Sequence, residues 1–589
     1  MFDLTAWHVA MGDLDADVVV RSGRLVDVIT GEIYPADVAI SGNQIAAVGS
    51  VDRCVGDRTQ IVDAGGAHLV PGLIDGHLHV ECSKLSITRF AQIAAPLGTT
   101  SIISGLDQVF VVAGLEGVRE FLDEAAKLPL SIFWGAPCKV PYTYPVTSVG
   151  HTFGTEELLA SKDWPECIGI WEALPDYLIH EDPEVLALLE LARSQRLPLF
   201  GAAPMASGPI ISAWATTGVR VDHESYTNEE LVQKLRNGIN VMIRESTIAH
   251  FLAENIKVVL ENPALGSRIA FCTDDMTAPD LLERGHLDNV IRLAIGYGVS
   301  PITAVQMATV NCAQFYRIDD QVGIIAPGRR ADILIVDDLN DFRPRQVIAK
   351  GKVLTDDGRL IQPLEPPPRS AGMLRSFPVS RVAPDELAIA VDQTASGGTA
   401  VAVCMQLTDV PFVRRRREVE VPVEDGVIVA RVEDGINYAA AVEAYGKSGN
   451  RAAAFVSGFG LRRGAFASSA CPDDNNIIAV GATLEDLAFA INTVMELHGA
   501  QVVVEAGEVV CVLPLEVAGI VSDAEAERVA ELESALESAL AERGCSIDFP
   551  FMQLAFMGIT AVPDLGLTER GLVDNTRHEI ISPVLITSG

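Results

Sequence analysis

The chain has 589 residues, beyond the roughly 250–300 at which one hydrophobic core stops growing, so two or three domains are expected. Apolar residues make up 49% and charged ones 21%, which excludes wholesale disorder. A formal net charge of −35 repels phosphate backbones and anionic bilayers, which argues against nucleic-acid or membrane partners. No basic residue precedes Arg21, and no apolar run approaches the ~18 residues of a spanning helix, so a cytoplasmic protein is expected. The ten Cys form no CxxC pair, which favours reduced, buried thiols over a disulfide framework.

Residues 18–70 alternate Val and Ile with polar residues between Gly-containing turns and read as short strands and hairpins. From Pro71 the pattern becomes apolar runs separated by amphipathic stretches, the signal for parallel strands with helical crossovers. Eight runs precede residue 275: Leu73–Val80, Thr99–Ser104, Leu130–Ala136, Cys167–Ala173, Leu197–Ala203, Val219–Glu224, Ile239–Glu245 and Arg268–Asp274. An α/β fold with a (β/α)8 barrel follows, its chemistry at the C-terminal strand ends. Helices are expected near 287–297 and 301–313, after which Gly323–Leu354 returns to strand alternation and completes the sheet of 18–70 as a small β-sandwich.

Pro363, Pro366, Pro367, Pro368 and Pro378 mark a linker. The expected division is 1–70 and 321–360 for the sandwich, 71–320 for the barrel, 361–380 for the linker and 381–589 for a C-terminal α/β domain. Within the last, helices are read near 485–498 and 522–543 with a strand at 501–505. The Arg414–Arg417 run reads as a solvated strand end rather than an anion site.

The strongest chemical signal is His77 and His79 at the end of the first barrel strand, because residues i and i+2 on a strand share a face and two imidazoles can converge on one metal. Later strand ends supply Glu172, His223 with Glu224, and Asp274 with Asp275. Together they form a mixed N/O set of the kind Zn, Fe or Mn accept, although each acid alone also suits a helix cap or a solvated loop. Arg244 and Glu245 end strand seven and are read as substrate contacts, with an internal salt bridge as the alternative. Trp134 and Trp171 read as barrel packing, Cys82 as a small buried hydrophobe, and His286 as the one further histidine worth testing.

The stretch from Pro71 to His79, the Asp274 strand end and Gly323–Ile335 resemble the amidohydrolase superfamily. Over nearly its whole length the chain is similar to bacterial adenine deaminases, through His77–Ser83, Asp222–Ser225, Val241–Glu245, Phe271–Asp275 and Gly285–Asp288. Gly458–Gly464, Asn476–Gly481 and Pro550–Met552 resemble that family's own C-terminal domain. The resemblance implies a hydrolytic deaminase of purine metabolism acting as a homodimer, converting adenine and water to hypoxanthine and ammonia. The alternatives are the same chemistry on another cyclic amide, lactam or amidine, and an inactive scaffold.

It further implies that His77, His79 and Asp274 hold one divalent ion with Glu172, and that His223 and Glu172 belong to a second ion. Asp274 would move the water proton, and Glu224 would donate to the ring. Three departures from the family stand out. Ala202 replaces a histidine, Asp107 and Gln108 replace a His-Glu pair and are placed among the substrate contacts, and Pro472–Asn476 replaces a His-Asp-Ser-His-Asn segment. They imply one ion rather than two and slow turnover of adenine.

Overall fold

The computed structural model describes residues 3–142, 144–391, 398–408, 412–562 and 564–588. The eight apolar runs form eight parallel strands in sequential order, Leu73–Asp75, Thr99–Ser104, Ser131–Pro137, Cys167–Trp171, Leu199–Gly201, Val219–Asp222, Asn240–Arg244 and Ile269–Cys272. Thr99–Ser104 and Ile269–Cys272 are buried at every residue, as strands covered on both faces require. The sheet closes where the first and eighth strands end: the Asp274 N–H donates to the His77 carbonyl at 2.9 Å and the His79 N–H to the Asp274 carbonyl at 3.2 Å. The fold is a (β/α)8 barrel.

Several strands are shorter than their apolar runs. The first stops at Asp75, whose Oδ1 accepts from the N–H groups of His77 (3.2 Å) and Thr273 (3.1 Å) and so turns two strand ends out of the ladder together. Gly76 permits that turn, since an ideal Cβ there would sit 3.0 Å from the Phe271 carbonyl oxygen and 2.3 Å from Met242 Sδ. Glu172 and Asp274, just past their strands, take left-handed φ values of 53° and 58°. For non-glycine residues such backbone is uncommon and gathers at functional sites.

The flanking segments meet in one mixed eight-stranded sheet, in which Ile333–Val336 runs antiparallel to His68–Pro71. The sequence from 301 to 316 forms two helices, Pro301–Met307 and Val310–Tyr316, rather than one. Segment 361–380 has no strand or α-helix but is firmly attached. Arg369 pairs with Glu124 of the barrel and with Asp523, Met373 is buried, and Arg375 donates to the carbonyls of Ser469 and Asn475. Beyond it lie a ten-stranded sheet, helices Leu484–Glu496 and Ala526–Glu542, and a three-stranded sheet.

Arg414 departs from its sequence reading. It is 1% exposed, and its guanidinium donates to the carbonyls of Leu565, Phe412, Phe556 and Ile559. Burial lowers its pKa to about 10. Arg415, Arg416 and Arg417 are exposed. Among the described residues no helix is long and apolar enough to cross a membrane.

Candidate active site

A cavity of about 300 Å³ opens at the C-terminal ends of the barrel strands, lined by His79, Asp107, Glu172, His223, Glu224, Arg244, Asp274 and Asp275. At its floor, His77 Nε2 lies 3.3 Å from His79 Nε2, 3.2 Å from Glu172 Oε1 and 3.8 Å from Asp274 Oδ1. His79 Nε2 lies 3.8 Å from Glu172 Oε1 and 3.6 Å from Asp274 Oδ1. Four donors at ~2.0–2.1 Å around a tetrahedral cation sit about 3.4 Å apart, and these spacings bracket that value. His77, His79 and Glu172 form one group able to coordinate a metal ion, and His77, His223 and Asp274 form a second that shares His77.

The surrounding residues orient this cluster. Asp107, at the start of helix Asp107–Ala125, places Oδ1 3.3 Å from His79 Nδ1, the far side of the ring from the cluster. A carboxylate in that place fixes the tautomer that leaves Nε2 free as a ligand. Trp171 stacks on His77 at 4.0 Å and 7°, and the His223 ring lies 3.5 Å from that of His77. Beneath the floor, Asp75 Oδ2 contacts Thr273 Oγ1 and His286 Nε2 (3.1 Å), while His286 Nδ1 meets Thr99 Oγ1 at 2.8 Å. His286 thus supports the backbone that carries the ligands and does not reach the cavity.

Electrostatics follow from burial. It drives His77 and His223 well below the imidazole range, helped in both by Arg244 and His79. Burial opposes charge on His79 as well, but Asp107, Asp274 and Asp275 carry that ring well above the usual value. Glu172 is raised well above the carboxylate range by burial, and Asp274 is pushed up to about 8 by burial and Asp275 against the pull of Arg244. Buried carboxylates pushed this way are what a bound cation compensates. Arg244 reaches Asp274 Oδ2 at 2.8 Å and Asp275 Oδ2 at 2.7 Å, and also pairs with Glu224. It lines the cavity as part of an ion-pair network.

Two of the sequence-derived substrate contacts lie elsewhere. Glu245 points away from the cavity to His250 (2.8 Å) and Arg284 (3.3 Å), because adjacent residues at a strand end face opposite sides. Gln108 directs its amide toward Cys82 Sγ at 3.9 Å and is absent from the cavity wall. Cys82 does line the cavity, with Sγ 3.0 Å from Asp275 Oδ1. Trp134 is packing, buried with its indole N–H on the Gly105 carbonyl.

Sequence reasoning missed Tyr142 and the apolar wall of Leu174, Met205, Phe412, Val413, Phe556 and Ile559. Tyr142 follows the third strand, and inspecting that strand end would have found it. The wall residues from 412 onward carry no local signal.

Residues 68–354 match the amidohydrolase family model, and residues 411–579 match the adenine deaminase C-terminal domain. The chain is 49% identical to adenine deaminase 4 of Rhizobium meliloti over 97% of its own length and 96% of that protein. It is 46% identical to adenine deaminase 1 of Desulfotalea psychrophila over 98% and 96%, and 43% identical to adenine deaminase 1 of Latilactobacillus sakei over 97% and 96%. With the barrel, the strand-end ligand cluster and the family-specific C-terminal match together, the chain belongs to the adenine deaminase family of the amidohydrolase superfamily.

Proposed function

We propose that the protein is a metal-dependent hydrolase that removes the exocyclic amino group of adenine, giving hypoxanthine and ammonia. The observation that carries this reading is the group of His77, His79 and Glu172 at the bottom of the cavity, with Asp274 Oδ1 3.8 and 3.6 Å from the two imidazole nitrogens. These residues would hold one divalent ion, with Zn, Mn and Fe all compatible with the donor set. Such an ion acts as a Lewis acid that makes water a nucleophile near neutral pH.

A single ion is favoured by two features. Ala202 brings no donor to the wall, and the Arg244 guanidinium already occupies Asp274 Oδ2, beside which His223 Nε2 lies at 3.9 Å. A second dication there would face that fixed positive charge.

The chain's own groups handle the protons. Asp274 accepts the proton of the attacking water and returns it to the departing nitrogen, a shuttle suited to a carboxyl whose pKa is raised by burial. Glu224, held through Oε1 by Arg244, keeps Oε2 buried without a partner among the described residues, which supports its role as the acid that protonates a ring nitrogen as the tetrahedral adduct forms.

Six carboxyl groups line the cavity, and Arg244 is its one Lys or Arg among the described residues. That balance disfavours anionic lactams and favours a neutral, N–H-bearing heterocycle such as adenine. Of the segments that differ from the family, Ala202, Asp107, Pro472 and Asp473 reach the cavity.

The test is ammonia release from adenine by metal-loaded protein beside Asp274→Asn. A kcat/KM of about 10⁴ M⁻¹s⁻¹ or more, abolished in the variant, supports adenine as substrate. A far lower value, with faster turnover of another cyclic amide or amidine, would transfer the chemistry to that substrate.

A further inference from the structure

The polar atoms that the catalytic scheme leaves unused point to a recognition site. Around the cavity, four buried side-chain oxygens have no hydrogen-bond partner among the described residues: Asp107 Oδ1, Tyr142 Oη, Glu224 Oε2 and Asp473 Oδ2. Asp107 faces the His79 ring at 3.3 Å, and Glu224 is assigned to proton donation. Tyr142 and Asp473 remain. A buried carboxylate oxygen without a donor is costly, and one that persists in a folded protein calls for a reason such as a ligand.

Asp473 is held where it is by its neighbours. Its φ is 78°. The flanking turn is fixed by Asn475 N–H to the Cys471 carbonyl (2.8 Å), Cys471 N–H to Asn475 Oδ1 (3.1 Å), Asn476 N–H to Asp474 Oδ1 (2.9 Å) and the Tyr445 hydroxyl to the Asp474 carbonyl (2.5 Å). Strained backbone kept in place by surrounding bonds is the pattern of a preorganised contact. Burial and the nearby carboxyls of Asp474 and Asp107 push the Asp473 group up to about 8, a cost that a donated N–H would offset.

We infer that Asp473 is a specificity-determining substrate contact, its Oδ2 accepting the imidazole-ring N–H of the purine while the Tyr142 hydroxyl donates to a bare ring nitrogen. The inference rests on the adenine reading above. The purine edge away from the reacting carbon offers one N–H and unprotonated nitrogens, so an acceptor and a donor on the wall of one cavity are complementary to it. A base whose imidazole N–H is lost to a substituent leaves the carboxylate unpaired. The C-terminal part of the chain thereby selects the free base, while the barrel performs the hydrolysis.

The test crosses two proteins with two substrates, wild type and Asp473→Ala against adenine and its isostere 7-aminothiazolo[5,4-d]pyrimidine, in which sulfur replaces the imidazole N–H. Asp473→Leu, close in size and without an acceptor, serves as the second variant. On adenine, kcat/KM is expected to fall about 10- to 100-fold in either variant, mainly through KM. On the isostere, wild type should drop to the level of the variants, and the variants should lose nothing further. An equal penalty on both substrates would mark Asp473 as merely structural and overturn the inference, as would unchanged kinetics on adenine. Wild type that releases no ammonia from adenine would instead remove the deaminase reading, and this contact with it.

Discussion

Lys234 and Asp222 form an ion pair with no solvent exposure on either side chain, Nζ lying 2.7 Å from Oδ1. The pair ties two active-site loops together. Asp222 Oδ2 accepts from the Ala203 N–H (2.8 Å) and Oδ1 from the Glu224 N–H (3.0 Å), while Lys234 also donates to the Glu224 carbonyl and to Glu230 (2.9 Å). Removing one partner leaves a buried charge, at about 3–5 kcal/mol. Lys234→Met is therefore expected to lower unfolding stability in urea by that amount and to reduce kcat, as His223 and Glu224 lose their fixed backbone. Urea melts and steady-state kinetics side by side check both.

Asp107→Asn should weaken metal retention without removing a ligand. Second partners of metal-bound histidines typically account for about 10- to 100-fold in affinity, and the 3.3 Å contact to His79 Nδ1 is of that kind. Competition with a graded chelator measures the loss. An unchanged retention curve would show that Asp107 does not set the orientation of the ring.

Protein purified without chelators should carry one divalent ion per chain, and His77→Ala should carry almost none. Elemental analysis decides the first count and its dependence on His77. Two ions at full occupancy in anomalous scattering would mean that His223 gains ligands despite Ala202 and Arg244.

Asp474 is 4% exposed, and burial followed by repulsion from Glu569 pushes its carboxyl up to about 7. The sign follows directly. The folded protein favours the neutral acid, so the stabilisation is full below the ordinary carboxylate pKa and is lost as pH rises to about 7. Tm should fall between about pH 4 and 7, and Asp474→Asn should flatten that fall by roughly 2–4 °C. Parallel slopes for the two proteins in differential scanning calorimetry would discount the carboxyl.

The barrel, and the residues that gather at the end of it, were readable because both rest on local periodicity. Buried parallel strands announce themselves as apolar runs, and His77, His79, Glu172, His223 and Asp274 all fall at the ends of such runs. Glu245 faces away from the cavity because the period of two that brings Arg244 to the wall turns its neighbour to the other side. Arg414 was unreadable, since the four carbonyls that bury it come from segments more than a hundred residues further along as well as from its own neighbour. The same holds for Phe412, Phe556 and Asp473, which reach the cavity only through long-range packing.

The closure of the barrel has a consequence for how the protein breathes. The hydrogen bonds that seal the first strand to the last run through His77, His79 and Asp274, so the seam of the cylinder and the ion cluster share one backbone. A filled cluster acts as a clasp on that seam, and an empty one leaves it to three backbone hydrogen bonds and the Asp75 carboxylate. Hydrogen–deuterium exchange should find the amides of His79 and Asp274 slow in the loaded protein and markedly faster after chelation, while the amides inside Thr99–Ser104 stay equally protected in both.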